Sequence, residues 1–169
     1  LTMARVLPVS PETQRVMWQI DATLKLAAVG GGQDLERDRG NLEQARPLAE
    51  ALHDDPRLAR VLYWLGRIHY IRGNFQTAIE HVRQSLEIAD RLGDDALAAL
   101  PVNLMGRVYI LQADFARASQ MLARSAEQMH RLGNRSEEAT AAGFASYAFG
   151  CLGEFEQALA HVNHGLRLA

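Results

Sequence analysis

Apolar residues recur at helical spacing along most of this chain, and the pattern is interrupted at regular intervals. In one central stretch, Leu62, Leu65 and His69 occupy positions i, i+3 and i+7, which lie on one face of a helix. Gly73 follows them and is free to adopt the positive φ of a chain reversal. A second apolar stripe begins at Phe75. The stretch therefore predicts two amphipathic helices joined by a tight turn.

The same pattern returns after 40 residues and again after 80. Corresponding positions hold small or aromatic residues in every copy: Gly66, Gly106 and Ser146; Ala78, Ala118 and Ala158; Phe75, Phe115 and Phe155. Two helices cross closely only where side chains are short, so each copy predicts a helical hairpin. We expect a single domain over residues 1–169, with hairpins at about 10–53, 56–92, 96–133 and 136–168.

Capping residues and helix breakers delimit the predicted helices. Ser10-Pro11-Glu12 is typical of a helix start, and Gly30-Gly31-Gly32 predicts that this first helix ends near Val29. Pro47 and Pro101 lie inside later predicted helices. Because proline removes a helical hydrogen bond, we expect Pro47 to kink or break its helix and Pro101 to bend its helix.

The second helix has two possible frames. A spacing of 40 aligns Gln33 with Gly73 and predicts a helix over about 34–53. A spacing of 33 aligns Gly40 with Gly73 and gives a better match between the residues that follow these two glycines. This frame predicts a helix that begins near Asn41. We favour the first frame.

The order L-x2-L-G-x2-H, followed by G-x-F-x2-A-x3-V, resembles the signature of the tetratricopeptide repeat (TPR) family. Two positions depart from this signature, since Leu62 replaces its usual Trp and His69 replaces its usual Tyr. The resemblance implies an all-α, right-handed α-α superhelix of about four hairpins whose first helices line a concave surface. The segments Arg91-Leu92-Gly93-Asp94 and Arg131-Leu132-Gly133-Asn134 are similar to those of TPR regions in large bacterial ATPase-containing regulators, including cyclase-like signalling proteins and transcriptional activators.

Composition and net charge disfavour some classes of binding partner and indicate a cellular compartment. The chain has 48% hydrophobic residues, 22% charged residues and a net charge of −2, which disfavours nucleic acid or a membrane surface as a direct partner. A single cysteine, Cys151, excludes an internal disulfide and fits a reducing compartment, so we predict a cytoplasmic location. The chain begins without Met and ends in a helical pattern, so we expect it to be a fragment of a larger protein.

A second face of the predicted first helices lies beside the apolar stripe that forms the core, and it offers candidate binding residues. Arg and Tyr recur on this face at spacings of 3, 4 and 3, and the corresponding positions 40 and 80 residues later continue it. The candidate partner-binding residues are Arg60, Tyr63, Arg67, Tyr70, Asn103, Arg107 and Tyr147. Arg pairs with carboxylates and Tyr supplies stiff contact area, so the face suits an extended peptide. Leu100 and Ile110 make its middle partly apolar, and the alternative is an ordinary solvated surface.

The sequence shows no pattern of catalytic, cofactor-binding or metal-binding residues, and we expect no enzyme activity, cofactor or metal. His161 and His164 have metal-compatible spacing, but no third ligand is placed beside them, so we interpret them as surface histidines. Gly30-Gly31-Gly32 lacks the Lys-Ser/Thr and the preceding strand of a phosphate loop. We interpret His69 as a packed core histidine and Cys151 as a packed small residue.

The leading functional hypothesis is a non-catalytic protein–protein interaction or scaffolding module of a cytoplasmic regulatory or signalling protein, with a concave groove for a peptide or a neighbouring domain. The alternative is a small-ligand effector-sensing module that controls an attached enzyme or DNA-binding domain, which requires an enclosed pocket. The last helix leaves Ala158, Leu159, Val162 and Leu166 without a following helix. This uncapped C-terminal helix adds the hypothesis of a homo-oligomer.

Overall fold

Eight α-helices make up the part of the chain that the computed structural model describes, residues 10–29 and 34–168. They are α1 (Pro11–Val29), α2 (Leu35–Ala51), α3 (Asp55–Ile71), α4 (Phe75–Leu92), α5 (Asp95–Leu111), α6 (Phe115–Arg131), α7 (Arg135–Cys151) and α8 (Phe155–Leu168). They pair in order as four hairpins, and no strand occurs within these ranges. The predicted all-α fold of about four hairpins is confirmed.

The helix starts follow the capping chemistry of the sequence. Side chains before six of the helices accept a hydrogen bond from the backbone N–H three residues later: Ser10, Asp34, Asp54, Asp94, Asp114 and Asn134. Asn74 precedes α4 without such a bond. α2 begins at Leu35, as the 40-residue frame predicts, and the alternative start near Asn41 is wrong. The predicted stop at Gly30-Gly31-Gly32 lies outside the described residues.

Both internal prolines are accommodated within continuous helices. α2 runs through Pro47 and α5 runs through Pro101 without interruption. The break that we considered at Pro47 is therefore absent. Proline removes one backbone donor, but each helix continues on both sides of its proline and packs on neighbouring helices.

In two of the turns between helices, a residue other than glycine occupies the position that holds glycine in the corresponding turn of another hairpin. Gly73 and Gly153 turn their hairpins with a φ of 79°, whereas Ala113 takes the same place between α5 and α6 with a φ of 58°. His53, with a φ of 51°, stands between α2 and α3 where the next hairpin boundary has Gly93. A left-handed conformation costs a residue with a Cβ about 1–2 kcal/mol, so both turns carry a local strain that glycine avoids.

In the second and third hairpins, a small residue on the first helix packs against an apolar residue on the second helix. A Cβ built on Gly66 of α3 would lie 2.6 Å from Cγ2 of Val82 on α4. A Cβ on Gly106 of α5 would lie 2.6 Å from Cγ of Leu122 on α6. Real Cβ atoms do not approach other atoms so closely, so the small residues are required by the helix crossing, as the repeat predicts.

Among the described residues, the first helices of successive hairpins contact one another, whereas the second helices do not. α1 contacts α3, α3 contacts α5 and α5 contacts α7. Within the described residues, the second helices α2, α4, α6 and α8 have no comparable contacts with one another. Because the first helices lie closer together, we expect the array to curve towards them, and their shared side, which carries the predicted binding face, is called the concave side.

The last helix is the least enclosed element. None of the described residues of α8 is buried, and Leu159 and Leu166 are largely exposed. The residue 40 positions before Val162 is Leu122, which is fully buried because α7 covers it. In the preceding hairpin the corresponding face of the second helix is covered by the next hairpin, whereas on α8 this face is exposed.

Two histidines stack inside the second hairpin. The ring centroids of His69 on α3 and His81 on α4 are 5.5 Å apart with planes 24° apart, and each Nδ1 is buried without a hydrogen-bond partner. Burial lowers the pKa of both imidazoles, with a smaller lowering of the pKa of His69 by Arg39 and of the pKa of His81 by His69. Both rings are therefore neutral packing groups near neutral pH, as predicted for His69.

Acidification is expected to weaken this contact. Because each folded-state pKa lies below the ordinary value of about 6.5, the unfolded chain binds more protons than the folded chain as the pH falls. The contribution of the pair is thus fully present above about pH 6.5 and decreases below it. His69→Tyr removes one of these groups and installs the residue that Tyr109 provides in the next hairpin. The free energy of unfolding in urea should then fall less between about pH 7.5 and pH 5 than in the wild type.

The matched control for this experiment is His53→Asn. It removes an exposed histidine outside the stacked pair and keeps a residue that tolerates positive φ. The control should retain the pH dependence of the wild type. Equal pH dependence in His69→Tyr and the wild type would contradict the assignment.

Candidate peptide-binding groove

The predicted binding residues all lie on the helices that line the concave side. α3 carries four of them, α5 two and α7 one: Arg60, Tyr63, Arg67 and Tyr70; Asn103 and Arg107; Tyr147. The structure divides this set by burial. Arg60 and Tyr147 are exposed, and Arg67, Tyr70 and Arg107 are partly buried.

Two of the predicted residues are covered by neighbouring helices. Tyr63 is 4% exposed and packs against Leu104 and Met105 of α5. Burial raises the pKa of its hydroxyl, against a smaller opposing effect of Arg67. Asn103 is 3% exposed, and its Nδ2 has no hydrogen-bond partner. These positions share the predicted face by periodicity, but so little of either side chain is exposed that their placement favours packing over direct ligand contact.

Arg107 lies at the centre of the concave side, between two aromatic rings. Its Cζ is 4.8 Å from the ring centroid of Tyr70 on α3 and 4.7 Å from that of Phe144 on α7. A guanidinium is attracted to the face of each ring, so three helices together orient this cation. Its Nε is buried without a hydrogen-bond partner, and no carboxylate of the described residues lies within 4 Å of the guanidinium.

Arg67 is a second cation on the same side. Its Nη1 lies 3.5 Å from the Tyr63 hydroxyl, and its Cζ lies 5.5 Å from the centroid of the Trp64 ring. Arg67 and Arg107 each oppose the rise in the pKa of Tyr63, whereas Glu137 adds to it, so all three charges act on this hydroxyl. No carboxylate forms an ion pair with Arg67 within the described ranges. The concave side thus holds two arginines without a direct counter-charge.

An open pocket of about 480 Å³ adjoins Arg107 through Phe144. It is lined by Ile110, Ala139, Thr140, Gly143, Phe144 and Tyr147. Tyr147 is 57% exposed, and its ring meets Phe115 edge-on at 6.3 Å. A smaller cavity of about 200 Å³ lies between α3 and α5, where Arg60 and Leu100 contribute to its wall. The concave side therefore combines cations with apolar recesses.

The sequence did not identify Phe144 or Trp64, although both aromatic rings hold the arginines. Each lies one position beyond a residue of the predicted face, Phe144 after Gly143 and Trp64 after Tyr63. In the sequence, the only indication of their role was that each is an aromatic residue next to the predicted face. Periodicity alone could not show that these rings lie against the two arginines.

Other candidate chemistry is limited in the part of the chain that the structure covers. It contains no group of three or more His, Cys, Asp or Glu side chains that could hold a metal ion. None of its helices combines the length and the apolar character that crossing a bilayer requires. Cys151 is exposed, so the prediction that it is packed is wrong. α7 ends at this residue, and the turn to α8 leaves the thiol uncovered.

Comparison with known proteins agrees with the repeat pattern. The family model described as tetratricopeptide repeat matches residues 34–91 and 57–128, which together span more than half of the chain. No curated protein sequence matches the chain.

Several solved structures are similar in fold, including the following two. The crystal structure of BtubC (BKLC) from P. vanneervenii matches 97% of this chain with a TM-score of 0.74 and 19% identity, and this chain spans 66% of that one. The nearly identical TPR-like repeats of a putative kinesin light chain from Podosopora anserina match 94% of this chain and 97% of their own, with a TM-score of 0.54 and 12% identity. At these identities the likeness shows the fold alone. By its repeat pattern, its helical hairpins and the matching family model, the chain belongs to the tetratricopeptide repeat family, whose members generally mediate protein–protein interaction.

Proposed function

We propose that this chain is a non-catalytic protein–protein interaction module that binds an extended peptide, or an exposed segment of a neighbouring domain, along its concave side. The observation that carries the proposal is Arg107, held between Tyr70 and Phe144 without a carboxylate partner. In keeping with the resemblance to TPR regions of bacterial regulators, the module belongs to a cytoplasmic regulatory or signalling protein in this proposal.

The chemistry of the concave side favours a ligand of mixed character. A carboxylate of the ligand would pair with Arg107, whose guanidinium is already oriented and partly removed from water. Arg67 supplies a second positive charge on the same side. An apolar side chain of the ligand would enter the pocket beside Tyr147. Preorganised cations beside apolar recesses are typical of the centre of a protein interface.

The alternative of a small-ligand sensor receives less support. A sensor of this kind needs a pocket that encloses its effector and buries most of its surface. The pocket beside Phe144 and Tyr147 is open to solvent along the concave side. Such a surface suits the side chains of an extended peptide better than a small molecule.

Charge reversal at Arg107 tests the proposal. Peptides are selected on the wild-type chain from a random library displayed on phage, and the affinities of the enriched peptides are measured by fluorescence anisotropy. Arg107→Glu should weaken their binding at least ~30-fold, because truncating a buried charge pair in an interface costs about 2–5 kcal/mol. Far-UV circular dichroism should show unchanged helicity.

The matched control is Arg124→Glu, which makes the same charge change at an exposed position on α6, away from the concave side. It should bind the selected peptides as tightly as the wild type does. Failure to enrich any peptide, or equal affinity of Arg107→Glu and the wild type, would reject the groove as the binding site.

A further inference from the structure

The last helix, α8, has fewer neighbours than any other helix in the part of the chain that the structure describes. α2, α4 and α6 each contact the helix before them and the helix after them, whereas α8 contacts only α7. α1, at the other end of the array, contacts both α2 and α3. One side of α8 therefore lacks the covering helix that the other second helices have.

This uncovered side of α8 carries a continuous row of apolar side chains. Phe155, Leu159, Val162 and Leu166 follow one another at spacings of 4, 3 and 4, and all four are exposed. An average spacing of 3.5 residues keeps side chains in one line along the contact between two paired helices. Contiguous exposed apolar rows on a protein surface mark interaction sites.

The equivalent row on α4, 80 residues earlier, shows how such a row is covered inside the array. Val82 and Leu86 of this row pack with Leu104 and Met105 of α5. α5 follows α4 after a short turn, so these two helices run antiparallel. A row of this kind therefore packs well against an antiparallel helix that offers large apolar side chains.

We propose that the apolar row of α8 binds the same row of a second copy of this chain, with the two α8 helices antiparallel about a twofold axis. In this register Leu159 of each copy lies opposite Val162 of the other, and Phe155 lies opposite Leu166. A twofold interface requires one surface that is complementary to itself, and this row meets that requirement. The interface uses a second helix and not the concave side, so it does not depend on the proposed function.

The charges of α8 favour the antiparallel orientation. Glu154 immediately precedes the helix, Glu156 lies in its first turn and Arg167 lies in its last turn. In the proposed register Glu154 of each copy lies opposite Arg167 of the other, at both ends of the contact. A parallel pair would place acids against acids and Arg167 against Arg167. The opposed dipoles of antiparallel helices act in the same direction as these charges.

The contact is small, so the dimer is expected to depend on concentration. A standard stable interface involves about 20–30 residues from each partner, many more than one side of a 14-residue helix offers. We therefore expect monomers and dimers to exchange in the micromolar range and not a permanent dimer.

The first helix is the competing partner for α8, because α1 exposes Trp18 and Leu26. Exposed Lys25 lies beside Leu26, and α1 already contacts two helices. Contact between α8 of one copy and α1 of the next would also join two different surfaces, and such head-to-tail contacts add copies without closing. The number of chains in the assembly therefore distinguishes the two arrangements.

Sedimentation velocity of the chain over a range of concentrations tests the proposal, with a reducing agent present to keep Cys151 a thiol. The average mass should rise from one chain to two with increasing concentration and then stay constant. Leu159→Glu should weaken dimerisation at least ~100-fold, because each dimer would bury two charges in an apolar contact. Circular dichroism should show unchanged helicity, since Leu159 is 60% exposed.

The matched control is Leu26→Glu, which makes the same change at a leucine of α1 that is 59% exposed. It should dimerise like the wild type. A wild-type chain that stays monomeric throughout the range would overturn the proposal. Growth beyond two chains, or loss of association in Leu26→Glu, would overturn it in favour of head-to-tail contact.

Disulfide trapping tests the orientation of the two helices. Phe155→Cys and Leu166→Cys are each made in a Cys151→Ser background, so that each variant has a single thiol. Mild oxidation of a mixture of the two variants should link one chain of each kind, whereas either variant alone should remain largely unlinked. Efficient linkage within each variant alone would show a parallel pair and contradict the proposed register, as would the absence of linkage in the mixture.

Discussion

Replacing Leu122 by alanine is expected to lower the free energy of unfolding by about 2–5 kcal/mol. Leu122 is fully buried on α6 and packs with Ala145 and Ala148 of α7, while its Cγ and both Cδ atoms face Gly106 on α5. Truncation removes apolar contacts with two helices and leaves a cavity that rigid helix backbones cannot fill. Urea denaturation followed by circular dichroism measures the loss.

The reciprocal change, Gly106→Ala, tests the same contact from the other side. Its Cβ would lie 2.6 Å from Cγ of Leu122, so the leucine must move at a cost of about 1–3 kcal/mol. Alanine is favoured over glycine inside a helix by about 1 kcal/mol, which offsets part of this cost. In the Leu122→Ala background the added methyl enters vacated space. The two losses should therefore fail to add, with a coupling of about 0.5–3 kcal/mol.

Gly143→Ala is the matched control, because nothing lies within 4 Å of a Cβ at this position on α7. It should stabilise the chain by about 0.5–1 kcal/mol through helix propensity alone. Strictly additive losses for Gly106→Ala and Leu122→Ala would show that these two residues do not meet as described.

Overpacking the helix crossing is expected to have the second largest effect. Ala118 on α6 is fully buried and packs in the cluster that contains Leu122. Ala118→Leu should reduce the free energy of unfolding by about 1–3 kcal/mol, because a close-packed crossing absorbs the added atoms only by moving a helix or straining side chains. Ala78→Leu should lose a similar amount in the second hairpin, where Ala78 is equally buried.

An exposed alanine on the same helix separates packing from helix propensity. Ala116→Leu places the same side chain on the solvent side of α6 and should change stability by no more than about 0.5 kcal/mol. If Ala118→Leu unfolds at the urea concentration of the wild type, the predicted packing of the hairpin is wrong.

The helices and turns were predictable because their causes are local in sequence. Asp94 caps the helix that follows it, Gly93 adopts the positive φ that ends the preceding one, and Gly66 recurs as Gly106 because both crossings need the same short residue. Ala113 shows where such rules have limits. It adopts a glycine conformation because the surrounding hairpin requires it, although its own preference opposes it.

The candidate groove was predictable only in part. Periodicity placed Arg67, Tyr70 and Arg107 on one face, and the structure packs Arg107 against Tyr70, but the predicted face also included Tyr63 and Asn103, which are buried. The helical period states which side of a helix a residue occupies. It does not state how far the next helix extends across that side, and α5 extends over Tyr63.

The sequence by itself therefore determined the helical hairpins, their 40-residue period and their membership of the TPR family, since caps, turns and amphipathic stripes act over a few residues. Only the tertiary structure decided which side chains meet across helices. It brought Phe144 and Tyr70 to opposite faces of Arg107, and His130 and His164 to the one carboxylate of Glu138. Such contacts depend on the distance and tilt between packed helices, which the spacing of residues along one helix does not encode.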